Sequence, residues 1–411
     1  MTTNGNLLDR AKQVIPLASQ TLSKSYVRYP AGMDNFAQYS RGSKLVTVGG
    51  KELIDFSAAL GSVILGHAEW SIEHSVSRVL MDVGVAHSLP TRHEVLLAEK
   101  LVEIIPCAEM VRFLKNGSDA TTAALKVARA FTGKSIIYSN GYHGWHDWCV
   151  SDDGDKNGGV VSFSPGIKHF KNYDQLENDI SYWSPSHVAG VIVDTMHFPI
   201  ADLRKLRKLC DDSGILLIFD EILTGFRLAL GGMQEFIGVV PDLACFGKAM
   251  GNGYPISALV GRRDIMKVLE KNTFVSSTFG GDLVGITAAW YTIKQLEKRK
   301  TPVSLDNKGR TFKQKANILL KDMHKKYFEL TGYNQMLTIN FLNDKPFQAK
   351  AKFIKGMYDE GIFTYGNFNL MEAHSEEDMQ TTLEALSEVI PKVSYDIKND
   401  NLGDEKLREV R

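Results

Sequence analysis

The chain has 411 residues, 44% hydrophobic and 23% charged, with Lys+Arg and Asp+Glu balanced at 48 each. That length exceeds one ordinary core and suggests about two to three domains. The composition excludes a disordered or fibrous chain, and the charge balance gives no sign of a nucleic-acid or anionic-membrane partner.

The opening "MTTNGNLLDRAK" is polar and lacks the apolar core of a signal peptide, while runs such as "GILLIF" are too short to cross a bilayer. Cys107, Cys149, Cys210 and Cys245 show no Cys-x-x-Cys spacing, against a zinc knot or disulfide framework and in keeping with a reducing cytoplasm. Next, "GSKLVTVGGKELIDF" predicts two short strands around a Gly49-Gly50 turn. From about residue 111 to 262, apolar runs alternate with helical patterns. "MVRFL" precedes "SDATTAALKVARAF", where Ala120, Ala123, Ala124, Val127, Ala128 and Phe131 trace one helical face. "SIIYS", "AGVIVDT", "ILLIFDE", "LACFG" and "SALVG" follow as strands, and "ADLRKLRKLCDDSG" reads as an amphipathic helix stopped by Gly214. Such alternation implies an α/β fold, a mostly parallel sheet with helices on both faces. Residues 306–340 read as basic and helical, "QMLTINFLND" as a strand, 347–360 and 375–391 as helices, and the charged tail from 398 as solvated. The expected division is a large domain over 58–300 and a smaller α+β domain from 1–57 and 301–411.

Ligands of open α/β sheets sit beyond the carboxyl ends of the strands, and four features fall there. Gly117 and Ser118 open a helix, where free N–H groups suit a phosphate; Ser118 as a plain helix cap is the alternative. Asp220 and Glu221 end an apolar strand, where a carboxylate needs a cation. A buried Asp beside a ring nitrogen keeps that nitrogen protonated, whereas a salt bridge to Arg227 is open to Glu221. Lys248 follows the run Leu243–Phe246; a desolvated lysine becomes an amine nucleophile, and a snorkelling surface lysine is the ordinary alternative. "SNGYHGWHDW" crowds Tyr142, His143, Trp145, His146 and Trp148, an aromatic wall fit to stack on a heterocycle. Two histidines three apart make a weak metal site, so packing or hydrogen bonding is expected of them. Together these groups match a phosphorylated pyridine aldehyde: anchored phosphate, stacked ring, charged ring nitrogen, and a lysine imine.

With "LGHA", "EMVRFLKNGSDATTAALKVARAFTGK", "YHG", "FDEILTGFR", "FGKAMGNGYP" and "STFGG" in place, the chain resembles class-III aminotransferases of fold type I, in particular the glutamate-1-semialdehyde 2,1-aminomutase branch. The similarity runs over about residues 10–295 and returns at "AHSEEDMQTTLEAL". The resemblance implies pyridoxal 5'-phosphate, with pyridoxamine 5'-phosphate as its aminated form, held on Lys248 as Schiff-base lysine and by Asp220 at the ring nitrogen. It implies Tyr142 and Ile222 on the two faces of the ring, His143 beside them, and Gly117 and Ser118 at the phosphate. Thr278 would reach the phosphate across the interface of a homodimer with shared active sites. Arg28, in "SKSYVRYP", aligns with a substrate-carboxylate arginine; an ordinary surface arginine is the alternative. The chain departs from the family at "VIVDTMHFP", where Asp194 and His197 replace a Glu-Pro-Val-x-Gly-like segment, and it has no arginine between Arg310 and Arg408. Glu372 is out of register with the aminomutases' glutamate.

The segment 151–166 has the composition of a loop, and the resemblance implies a lid over the site. The expected activity is amino transfer from an amino-acid donor to an aldehyde or ketone, a sugar-derived carbonyl among the candidates. Intramolecular amino transfer of the aminomutase type and a non-catalytic metabolite-binding α/β protein are the alternatives.

Overall fold

The computed structural model describes residues 4–150, 166–183, 185–271, 273–321 and 324–403. The expected lid, except Gly166, and the end of the charged tail lie outside the described residues. Two compact units divide the chain: residues 1–69 with 303–411, and residues 70–302.

Residues 70–302 are built on seven strands: β1 (Met110–Leu114), β2 (Ile136–Asn140), β3 (Ile167–His169), β4 (Val188–Asp194), β5 (Leu216–Asp220), β6 (Leu243–Phe246) and β7 (Ser257–Gly261). The sheet order is β1-β7-β6-β5-β4-β2-β3. Strands β6, β5, β4, β2 and β3 are mutually parallel, and β7 runs antiparallel to both β6 and β1. Every residue of β4 to β7 is buried, which is why these strands read as apolar runs and not as alternating patterns. Helix Gly117–Thr132 lies on the sheet through Ala120, Ala123, Ala124, Val127 and Ala128, in one core with Ile192, Cys245 and Leu259. Alanines on that face let the helix axis come close. Phe131 departs from the expected stripe, 40% exposed in the helix's last turn. This mostly parallel sheet is the α/β architecture expected from the alternating runs.

In the other unit, strands Lys44–Thr47 and Glu52–Asp55 form the expected hairpin, with Gly50 at φ 85° in its turn. Ile362–Phe363 joins the same sheet parallel to Glu52–Asp55, so segments from both ends of the chain share one sheet. The expected helix over 306–340 is corrected: it spans Thr301–Leu319, and Phe328–Tyr333 is a strand paired with Met336–Phe341. In "FELTGY" Phe328 and Leu330 point inward and Glu329 outward, a two-residue period that the basic stretch before it obscures. Helices Pro346–Asp359 and Glu376–Lys398 meet at Gly356, where a Cβ would stand 2.9 Å from Val389 Cγ1.

Candidate active site

Five strand ends deliver the candidate residues to one edge of the large sheet. β1 leads into helix Gly117–Thr132, β2 into Tyr142 and His143, β4 ends at Asp194, β5 at Asp220, and β6 leads through Gly247 into Lys248.

The helix start is capped by Asn116, not Ser118. The Asn116 N–H donates to Asp119 Oδ2 at 2.8 Å, and the first helical residue is Gly117. The N–H groups of Gly117 and Ser118 thus lie in the first turn, where intrahelical acceptors are lacking and the dipole is positive. A Cβ on Gly117 would lie 3.2 Å from Ile222 Cγ1, so the bare α-carbon leaves room beside the backbone of this turn. Ser118 Oγ is turned toward the aromatic loop and accepts from the Trp145 N–H at 3.3 Å.

That loop is tied to the same helix. Thr121 donates to the His143 carbonyl at 2.8 Å, while Thr122 accepts from the Trp148 indole at 2.8 Å and pairs with His146 Nδ1 at 2.7 Å. His146 is therefore a hydrogen-bonding residue, as expected. Gly144 lets the loop pass over Ser118: at φ 119° its would-be Cβ falls 2.1 Å from Ser118 Oγ. Gly144→Ala is expected to destabilise the protein by about 2–4 kcal/mol through strain and overpacking, read by chemical denaturation.

Asp220 is 7% exposed and carries two distinct contacts. Oδ2 meets His143 Nδ1 at 2.7 Å, and Oδ1 accepts from the Ile222 N–H at 3.0 Å. His143 Nε2 donates to the Asn140 carbonyl at 2.9 Å, so the imidazole is fixed at both nitrogens, with its ring stacked on Trp148. Tyr142 is 60% exposed at the mouth of this arrangement. Its phenol is raised above the ordinary value, first by desolvation and then by Cys149 and Asp220 nearby.

Lys248 stands at φ 42°, between Gly247 and the turn that closes on Asn252. It is half-buried, and desolvation pushes its amine below the ordinary value, opposed by the negative charges of Asp220 and Asp194. A lysine held this way has a larger fraction of free amine near neutral pH. Glu221, one residue beyond Asp220, points elsewhere. It is fully buried and accepts from the N–H groups of Met233 and Gln234 at 2.7 and 3.0 Å and from the Thr224 hydroxyl, with burial raising its carboxyl to about 7. Its partners are backbone amides and a hydroxyl rather than Arg227, the alternative open to it in the sequence, which makes it a structural carboxylate.

Asp194 and His197, which the motif comparison marks only as departures, form a hydrogen-bonded pair at 2.8 Å beside these groups. Thr278 is exposed, on the turn closed by the Gly280 N–H to Ser277 carbonyl bond. A Cβ on Gly280 would lie 2.6 Å from the Phe113 carbonyl, so this turn runs against β1 just before the helix start at Gly117.

Arg28 belongs to the other unit, at the end of a short 3-10 turn, and is 8% exposed rather than a surface residue. Beside it, Tyr29 and Tyr365 share a hydroxyl–hydroxyl bond of 2.7 Å, and its charge adds to burial in lowering Lys350 to about 8. In the motif "AHSEED", His374 is a core residue. It accepts from the Met371 N–H at 2.9 Å and donates to the Asp55 carbonyl at 3.1 Å, held to about 4 by burial. No helix among the described residues is long and apolar enough to cross a membrane.

A family model described as aminotransferase class-III matches residues 28–390. The 3-aminobutyryl-CoA aminotransferase of Cloacimonas acidaminovorans is 35% identical, covering 94% of this chain and 96% of its own. The glutamate-1-semialdehyde 2,1-aminomutase of Methanothermobacter thermautotrophicus is 32% identical over 93% of this chain and 98% of its own. Among solved structures, FumI of Sphingopyxis sp. MTA144 in its PLP internal aldimine form superposes with a TM-score of 0.87 at 26% identity, covering 97% of this chain and 98% of that one.

Proposed function

This chain belongs to the class-III aminotransferases, pyridoxal-phosphate-dependent enzymes, and from that premise we propose that Lys248 carries the acid–base chemistry of an amino transfer between an amino-acid donor and an aldehyde or ketone. The observation that carries the assignment is the half-buried Lys248 amine at the end of β6, within the field of the Asp220 and Asp194 carboxylates.

The residues fit the cofactor. A helix starts at Gly117, an exposed tyrosine ring stands near the buried Asp220 carboxylate, and an amine of depressed basicity lies within the field of the same carboxylate. Gly117 and Ser118 would hold the phosphate through backbone N–H groups, and Tyr142 and Ile222 would orient the ring from its two faces. The bound group supplies an electron sink conjugated to the donor's nitrogen. Asp220, fixed by His143, would keep the heterocycle nitrogen protonated. Lys248 would serve as the base that takes the proton from the donor's Cα and as the acid that gives it back in the reverse direction. Arg28 is the candidate for the substrate carboxylate, and its guanidinium suits two-point recognition.

A homodimer with shared sites is part of the same proposal, with Thr278 given to the partner's phosphate. Exposed Trp70, Met81, Leu89, Phe274 and Phe279, at 59–78%, support a covered face on the large unit.

One experiment separates transaminase from aminomutase. Wild-type protein is mixed with single donors: α-amino acids, 3-aminobutyryl-CoA and glutamate 1-semialdehyde. For a transaminase, the cofactor absorbance shifts to the aminated form and the donor yields one equivalent of keto product. Turnover of the semialdehyde alone, without keto product from any external donor, would assign the intramolecular shift instead.

A further inference from the structure

His197 takes no part in the chemistry assigned above, yet it is held by Asp194 in a hydrogen-bonded pair. β4 ends at Asp194, and its carboxylate builds the turn that follows. Oδ1 accepts from the Met196 N–H at 3.0 Å and Oδ2 from His197 Nδ1 at 2.8 Å, while the His197 and Phe198 N–H groups return to the Asp194 carbonyl at 3.2 and 3.0 Å. β2 presses on the pair from the other side: at Gly141, φ 94°, a Cβ would lie 2.4 Å from Asp194 Cβ. The carboxylate is thereby locked at 8% exposure.

The imidazole is not locked away. The His197 side chain is 70% exposed, its Nδ1 is given to Asp194, and its Nε2 has no partner among the described residues. The hydrogen bond to Asp194 raises the imidazole above its ordinary value; burial opposes this, the Asp194 charge adds to it, and the Lys248 amine opposes it. Asp194 itself is raised by burial but held below its ordinary value overall by His197, by the charge of His143 and by the Met196 N–H. Asp194 is the register partner of Asp220 across the parallel strands β4 and β5, so the Asp194–His197 pair stands at the same strand ends as the site. A cationic N–H donor there complements an anionic oxygen.

We propose that His197 contacts the substrate, its Nε2–H donating to a carboxylate of the amino donor, with Asp194 as the residue that positions it. The proposal rests on the aminotransferase assignment and adds to it, further to the Arg28 candidate, a contact to a carboxylate-bearing donor from the β4 side, in a chain with no arginine between Arg310 and Arg408.

The test is binding of glutarate, an inert dicarboxylate, to cofactor-loaded protein by calorimetry, which needs no turnover. His197→Gln is expected to weaken glutarate about tenfold or more, and His197→Arg to restore most of the loss. Wild-type affinity falls as pH rises through the elevated His197 titration, whereas that slope is missing in His197→Gln. In steady state, His197→Gln raises KM for carboxylate donors with kcat kept within about threefold and leaves KM unchanged for the matching decarboxylated amine. Equal glutarate affinity in wild type and His197→Gln overturns the proposal, as does a kcat loss accompanied by a changed cofactor spectrum, which would turn His197 toward the cofactor. Absence of keto product from every donor in the wild type, with glutarate binding still dependent on His197, would instead strike the aminotransferase assignment alone.

Discussion

Lys248→Ala is expected to lower amino transfer at least ~10³-fold, because the variant loses both the covalent anchor and the proton carrier at Cα. Borohydride treatment of the wild type should fix the cofactor on the peptide containing Lys248, read by mass spectrometry; the variant should show no such product. The decisive comparison is with other lysines of lowered basicity. Lys115, just after β1, is brought to about 8 by burial, as is Lys350 in the other unit. Low basicity alone therefore does not identify the reactive amine. Lys115 is already committed: it donates to the Pro255 carbonyl at 3.0 Å and forms an ion pair with Asp282, the residue that caps helix Leu283–Arg299. Lys248 differs in the company it keeps, two carboxylates at neighbouring strand ends. Stability should change little, since the side chain removed is desolvated and alanine tolerates the same backbone as poorly as lysine does. Reductive labelling of Lys115 in the wild type would sink the assignment.

Much of this arrangement is legible in the sequence because burial on both faces writes β2 and β4 to β7 as apolar runs, and strand ends then fall where the polar residues begin. Asp220 and Lys248 stand out for the same reason: each is a charged residue directly after a run that admits none. What stays hidden depends on partners distant in the chain. Glu221 follows the same strand as Asp220 and looks equivalent, yet one reaches His143 and the other the amides of residues 233 and 234. Neighbouring residues of a strand exit point to opposite sides, and only the fold says which side holds the site. β3 is too short, at three residues, to leave a pattern. His197 carries no periodic signal, because a three-residue return to Asp194 is a property of one turn.

Asp220→Asn should be the second most damaging change, lowering kcat by about 10²–10³-fold at saturating cofactor. The carboxylate is buried, so its charge acts in a medium of low dielectric, where a heterocycle nitrogen keeps its proton only against a fixed anion. An amide of the same shape preserves the contact with the Ile222 N–H, and its oxygen can still face His143 Nδ1, so the fold should hold. The charge alone is removed, and with it the electron sink. His143→Gln tests the layer behind. The imidazole bridges Asp220 and the Asn140 carbonyl, so glutamine there should leave the charge but loosen its aim, giving a loss of about 10-fold and a smaller change in the cofactor spectrum. The two effects should be less than additive in the double variant, because His143 has nothing left to position once the anion is gone. Full activity of Asp220→Asn once cofactor is saturating would reduce Asp220 to a binding residue and remove it from the chemistry.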